Sequence, residues 1–345
     1  MVHIDDRNLP SPARGWAGTR ARWRRIWPRA SRTFRLDFHR QAPQVRKQLL
    51  SDIRWAFEAA DPAAPVRCGS FAASDHAKLP YRLWLPPHPK AILLLLHGAF
   101  DYSGAFDEIG PKIAAQGMAA FAYDQRGFGA TNSRRHWCGR KRLVEDVGDA
   151  VAYLRARFGA LPVFIVGESM GAAVAVHAAA TNEDLDVAGI VLAAPGAVAG
   201  SIRRLLASLF VGVLNFFAPR SEITVERLSA SELVPAAAIR LLFDPLVLRA
   251  VRPNMAFGLL ELATTAVDEA RNVTLPTLTM VGSREKFLNV NCIAQLHRLL
   301  AGEKSWCNFE GGPHLLLHWV RRDEVLDKVF SWLDARIARV QQPQH

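Results

Sequence analysis

The feature that most constrains the fold of this chain is a set of short apolar runs that do not alternate with polar residues. Ala91 to Leu96 (AILLLL), Met118 to Tyr123 (MAAFAY), Pro162 to Val166 (PVFIV) and Ala188 to Ala193 (AGIVLA) are apolar at nearly every position. A strand with one wet face shows a period of two, so runs like these belong to strands covered on both faces, as in a mostly parallel sheet. Further strands are expected at 80–85, Leu278–Val281 and Ser305–Phe309. Helical patterns fill the gaps at Ala105–Gln116, Arg142–Phe158, Ser169–Ala180, Cys292–Leu300 and Trp319–Ala338. Repeated strand and helix alternation predicts an α/β fold, a mostly parallel sheet flanked by helices.

At 345 residues, half of them apolar, the chain can build one large α/β domain with an insertion, or two small domains. Between Ala194 and Leu278 lie about eighty residues with helical patterning and no strand, too many for a loop and suited to a helical cap. The expected layout is an N-terminal extension over 1–60, a core over 61–196 and 270–345, and a helical cap over 197–269. Within the cap, Ser201 to Pro219 carries Leu205, Leu209, Phe210, Phe216 and Phe217. That pattern fits a buried cap helix or a lid whose apolar face borders a lipid-like substrate or a membrane.

The net charge of +11 resembles a nucleic-acid signal until it is located. Residues 1–47 hold twelve Arg and Lys against Asp5, Asp6 and Asp37, leaving only two positive charges for the remainder. The basicity belongs to a tail and says little about what the body binds, so a nucleic-acid partner is not expected. With Trp16, Trp23, Trp27 and Phe34 among its arginines, the tail suits contact with an anionic membrane surface or with nucleic acid, or else a disordered or loosely docked extension. No secretory signal and no 18-residue apolar stretch is found, which predicts a cytoplasmic protein, with or without peripheral membrane contact. Cys68, Cys138, Cys292 and Cys307 show neither paired nor metal-like spacing and are read as reduced packing residues.

Gly167-Glu168-Ser169-Met170-Gly171 follows the strand PVFIV and precedes a helix of small residues, the context of a nucleophile elbow. Its glycines relieve a sharp turn that exposes the Ser169 hydroxyl, and the helix N-terminus points at it. Leu96-His97-Gly98-Ala99-Phe100 follows the longest apolar strand, where a glycine lets a backbone N–H face a substrate carbonyl. The N–H groups of Ala99 and Met170 are the expected oxyanion hole. His97, Gly98, Phe100 and Glu168 are placed beside the substrate, with a structural, loop-bonding role as the competing reading of His97. His314, on the Gly/Pro-rich loop Glu310-Gly311-Gly312-Pro313, is the expected general base. HLLLH (His314 to His318) lacks the glutamate of a metalloprotease helix and a third ligand, so no metal is expected. Glu285, after Leu278–Val281, is the acid in the slot that chain order requires, or else a loop acid paired with Arg284 or Lys286. Asp124 to Gly129 (DQRGFG) is read as a structural turn near the site.

Together these segments resemble the monoacylglycerol lipase and lysophospholipase group of α/β-hydrolases, also described as serine aminopeptidase S33-like. The resemblance covers about residues 66 to 338 and rests on HGAFDYSGAF, YDQRGFGAT, GESMGAA, VGSREKFL and FEGGPHLLL in that order. It implies an eight-stranded sheet, a helical cap after the sixth strand, and hydrolysis of monoacylglycerols, lysophospholipids or similar monoesters without a cofactor. It also implies a nucleophile at Ser169, an acid at Glu285, where the family usually has aspartate, a base at His314 and oxyanion donors at Ala99 and Met170. The same constellation supports a thioesterase, an acyltransferase or a peptidase, and the basic tail leaves open a membrane-associated binding protein with an inactive hydrolase body.

Overall fold

The structure, a computed structural model, describes residues 66–198, 218, 221–224 and 232–341. The basic tail and all of Ser201–Pro219 except Ala218 lie outside the described residues. Along the chain the strands are β1 Arg67–Ala72, β2 Lys78–Trp84, β3 Ala91–Leu96, β4 Met118–Tyr123, β5 Val163–Glu168, β6 Gly189–Ala193, β7 Ile223–Thr224, β8 Ala250–Val251, β9 Thr277–Gly282 and β10 Lys304–Phe309. The α-helices are α1 Gly110–Ala115, α2 Arg140–Phe158, α3 Met170–Thr181, α4 Pro235–Phe243, α5 Pro253–Glu269, α6 Val290–Leu299 and α7 Arg322–Gln341.

One eight-stranded sheet runs β1-β2-β4-β3-β5-β6-β9-β10, antiparallel at β1–β2 and β2–β4 and parallel from β4 to β10. The unbroken apolar run of β3 follows from helices on both faces. Ile92, Leu94 and Leu96 enter the core shared with Val147 and Leu154 of α2, Val174 of α3, Leu262 of α5 and Ile293 of α6. Leu93 and Leu95 point the other way, toward Phe106, Ile113 of α1, and Leu326, Val329 and Trp332 of α7. All six β3 residues are thus buried, and no polar alternation is possible.

Several elements depart from the sequence pattern for local reasons. The edge strand β1 buries only Phe71, so it offered no apolar run to detect. The insertion between β6 and β9, expected to lack strands, holds α4, α5 and the two-residue antiparallel pair β7–β8. The helix expected over Ala105–Gln116 is a 3₁₀ turn at Ser103–Phe106 followed by the short α1, because Pro111 lacks the N–H that a helix interior needs and sits in the first turn. The last helix starts at Arg322 rather than Trp319, since Leu316–His318 forms a 3₁₀ turn and Trp319 pairs with Leu233 in an isolated bridge. Of the cysteines, all free, Cys68 is exposed on β1 and is not a packing residue.

No helix of the described residues is long and apolar enough to cross a membrane. The parallel strands bring Gly98 after β3, Ser169 after β5, Glu285 after β9 and His314 after β10 to one edge, the carboxyl edge where ligands bind in open α/β sheets.

A close backbone contact lies under that edge. A Cβ on Gly171 would stand 2.1 Å from the Leu96 carbonyl oxygen, and one on Gly167 would stand 2.5 Å from the Gly171 carbonyl carbon. Strand and helix meet backbone to backbone there, with nothing flexible to yield. Gly171→Ala is expected to lower stability by at least about 2 kcal/mol. Gly148→Ala in α2, where the new Cβ would meet only the movable Asn182 side chain at 3.1 Å, should be neutral or stabilising by up to about 1 kcal/mol. Urea unfolding of the two variants beside the parent checks both.

Candidate active site

Ser169 sits between β5 and α3 with φ 53° and ψ −112°, a left-handed conformation that an L-residue holds only when its surroundings impose it. They do so through hydrogen bonds from the Ser169 N–H to the Ala193 carbonyl (2.9 Å) and from the Gly196 N–H to the Ser169 carbonyl (2.9 Å). Met170 opens α3, so its N–H has no intrahelical acceptor and faces the same end of the helix as the serine.

A hydrogen-bonded chain runs outward from the hydroxyl. Ser169 Oγ lies 2.9 Å from His314 Nε2, and His314 Nδ1 lies 2.6 Å from Glu285 Oε2. An ionised carboxylate can only accept, so Nδ1 carries the proton and Nε2 is left to accept from the serine hydroxyl. The other carboxylate oxygen of Glu285 accepts the N–H groups of Phe287 (2.7 Å) and Leu288 (3.0 Å). This local turn holds the carboxylate on the side away from His314. Burial works to raise the Glu285 pKa. The His314 hydrogen bond and charge, helped by the two backbone donors, outweigh it and hold the carboxyl below its ordinary 4.5. The half-exposed Phe287 ring stands 5.4 Å from the His314 ring at the rim.

Gly98 lies against Ser169: a Cβ there would be 3.5 Å from the Ser169 Cβ. Ala99 and Phe100 follow it, partly buried, with Phe100 at φ 73°. His97, expected beside the substrate, is fully buried with both ring nitrogens engaged. Nε2 accepts the Gln125 N–H (3.0 Å), which leaves Nδ1–H to donate to the Gly98 carbonyl (2.8 Å). Burial pushes its pKa down, keeping the ring neutral for that arrangement. The Gln125 side-chain amide donates to the His97 carbonyl, and Asp124 accepts the N–H groups of Ser103 and Ala130. DQRGFG is thus a turn braced against the loop after β3.

Glu168 is likewise turned into the protein. Its buried carboxylate accepts the Leu317 N–H (2.9 Å) and lies 3.2 Å from His318 Nε2. The two histidines of HLLLH thus face different carboxylates, His314 toward Glu285 and His318 toward Glu168. Sequence reasoning missed this second pair and the backbone donors to Glu285. The only available signal for the donors was an acid two and three positions before backbone N–H groups in a loop, a recurrent local bond too common to single out.

A sequence profile of the family described as serine aminopeptidase, S33 matches residues 87–318, two thirds of the chain and all of the residues just described. The chain belongs to this family of α/β-hydrolases. Within it, the chain is 30% identical over 267 residues to the monoglyceride lipase of Mus musculus, covering 74% of this chain and 87% of that one. It is 26% identical over 270 residues to the monoacylglycerol lipase of Mycolicibacterium smegmatis, covering 76% and 95%. The crystal structure of a soluble variant of Saccharomyces cerevisiae monoglyceride lipase with a substrate analogue superposes with a TM-score of 0.66 at 18% identity, over 80% of this chain and 96% of that one. That likeness shows the shared fold. The S33 α/β-hydrolase described here is thus a member of the monoacylglycerol lipase group, whose characterised relatives are carboxylic ester hydrolases.

Because the folded-state pKa of Glu285 is depressed, its ionised form adds stability above about pH 4.5, and that contribution is lost as the pH falls through the lower folded value. The stability advantage of the parent over Glu285→Gln should hold from neutral pH down to about 5 and shrink below 4.5. Urea unfolding across that range checks it, and a difference that grows on acidification contradicts the assignment.

Proposed function

We propose that Ser169, His314 and Glu285 act as a catalytic triad and that the enzyme hydrolyses carboxylic esters of acyl chains, monoacylglycerols or lysophospholipid-like monoesters. The observation that carries this reading is the unbroken chain of hydrogen bonds from the strained Ser169 hydroxyl to His314 and on to Glu285. The substrate class follows the monoglyceride lipases to which the chain is similar.

In this mechanism the Ser169 proton passes to His314 Nε2 as Oγ bonds to the ester carbonyl carbon. The carbonyl oxygen takes the negative charge and receives the N–H groups of Ala99 and Met170. Glu285 stabilises the imidazolium through Nδ1. His314 then gives its proton to the departing alcohol as the ester C–O bond breaks, leaving an acyl-enzyme. Water, losing its proton to the same histidine, releases the fatty acid and restores the serine. Gly98 and Phe100 border the acyl carbonyl, whereas His97 and Glu168 brace the two loops from behind.

Turnover of p-nitrophenyl esters of graded chain length and of 1-monoacylglycerol tests the proposal. Activity should rise toward medium or long chains and fall in Ser169→Ala by about 10⁵-fold or more. Glu285→Gln should lose about 10³- to 10⁴-fold. A folded parent that neither turns over these esters nor reacts with a fluorophosphonate probe overturns it.

A further inference from the structure

The loop that bears Ala99 has little to hold it in place by itself. Phe100 is left-handed without being glycine, at φ 73°, and the only turn bond within the loop, from the Asp101 N–H to the Gly98 carbonyl, is long at 3.4 Å. The core braces one side of it through His97, Gln125 and Asp124, and the supports on the other side come from the segment inserted between β6 and β9. The Leu248 N–H donates to the Phe100 carbonyl at 2.8 Å. Arg240 of α4 grips Asp101 with two donors, Nε to Oδ1 at 3.2 Å and Nη2 to Oδ2 at 2.9 Å. The Tyr102 hydroxyl donates to Asp244 at 2.6 Å.

The ion pair is unusual in being almost dry, with less than a tenth of either side chain exposed. Burial alone would raise the Asp101 pKa, but the Arg240 charge and hydrogen bonds hold it below its ordinary value. A buried pair of this kind adds little net stability over an apolar pair of similar size, because both charges give up their hydration. What it supplies is a fixed geometry: a planar guanidinium fork meeting a carboxylate admits few orientations.

We propose that Arg240 is a positioning residue for the oxyanion hole. Through Asp101, and with Leu248 bonded to Phe100, the inserted segment fixes the loop conformation that presents the Ala99 N–H to the carbonyl oxygen bound at Ser169. This deepens the ester-hydrolase reading above and rests on it. DQRGFG holds the opposite side of the same loop through Gln125 and His97, so the donor is clamped between a turn of the core and a helix of the insertion.

The test compares Arg240→Met, Asp101→Asn/Arg240→Met, Arg240→Lys and Tyr102→Phe with the parent on a p-nitrophenyl ester. Beside kcat and KM, it measures inhibition by a trifluoromethyl ketone with an acyl-like chain. Ser169 Oγ adds to that ketone carbon, its proton passes to His314, and the ketone oxygen becomes an oxyanion in the same hole. Arg240→Met should lower kcat about ten- to a hundredfold with KM within about threefold, and weaken the ketone by a similar factor. The double variant, which leaves no orphaned charge, should stay as slow as Arg240→Met. Arg240→Lys, which keeps the charge and loses the fork, and Tyr102→Phe should show smaller losses with the same signature, and they carry the test where Arg240→Met does not fold. The proposal is overturned by folded variants that keep the parent kcat, by a kcat loss with undiminished ketone affinity, or by recovery in the double variant. A parent with no esterase activity and no fluorophosphonate labelling refutes the underlying hydrolase reading instead.

Discussion

Everything at the carboxyl edge of the sheet depends on a single turn whose geometry leaves no room for a side chain. Strand β5 ends and α3 begins across Ser169, and the backbones of Gly171 and Leu96 meet at a distance that a methyl group would abolish. The strain at Ser169 is of the order of a few kcal/mol, and it is sustained because the turn is welded to β6 through Ala193 and Gly196. That weld lets a hydroxyl stand clear of the sheet while α3 directs its unpaired N–H groups at it. The helix of small residues that follows is a consequence of the same crowding, since α3 is buried along most of its length among β3, β5 and the helices beside it.

Around Ser169 the polar groups are ordered by how many partners each can satisfy. Glu285 accepts from His314 with one oxygen and from two backbone N–H groups with the other, so its charge is held on both sides and its geometry is set by the chain itself. His97 is used up entirely by the loops it joins, which removes it from chemistry and gives the loop after β3 a rigid root. Glu168, one residue before Ser169, performs the same service for the loop that carries His314.

The central sheet and the three proposed catalytic residues were legible in the sequence because each rests on a local signal. Buried parallel strands announce themselves as apolar runs, and G-x-S-x-G between a strand and a helix is a short-range statement about backbone sterics. His314 and Glu285 could be placed from chain order and loop composition. What escaped detection depends on contacts far apart in sequence or on strands that bury little. β1 shows one buried residue in six, and β7 and β8 are two residues each. The pairs Glu168 with His318 and Asp101 with Arg240 span 150 and 139 positions, and nothing in the neighbourhood of either residue names its partner. For His97 and Glu168, proximity along the chain to Gly98 and Ser169 was legible, whereas the direction of each side chain, toward Gln125 and toward Leu317 and His318, was not.

The loop after β10 does more than carry His314. Leu233 and Trp319 form an antiparallel bridge, flanked by hydrogen bonds from the Val234 N–H to the His318 carbonyl and from the Val320 N–H to the Glu232 carbonyl. The inserted segment is therefore stitched by its backbone to the stretch that begins at His314, just as Arg240 ties it to the loop after β3. Such an insertion is not a detachable module. Transplanting residues 232–252 from one family member to another would carry the new segment without its seams. The unit of exchange in this chain includes residues 98–105 and 314–320, two short stretches far outside the insertion as sequence alignment would draw it.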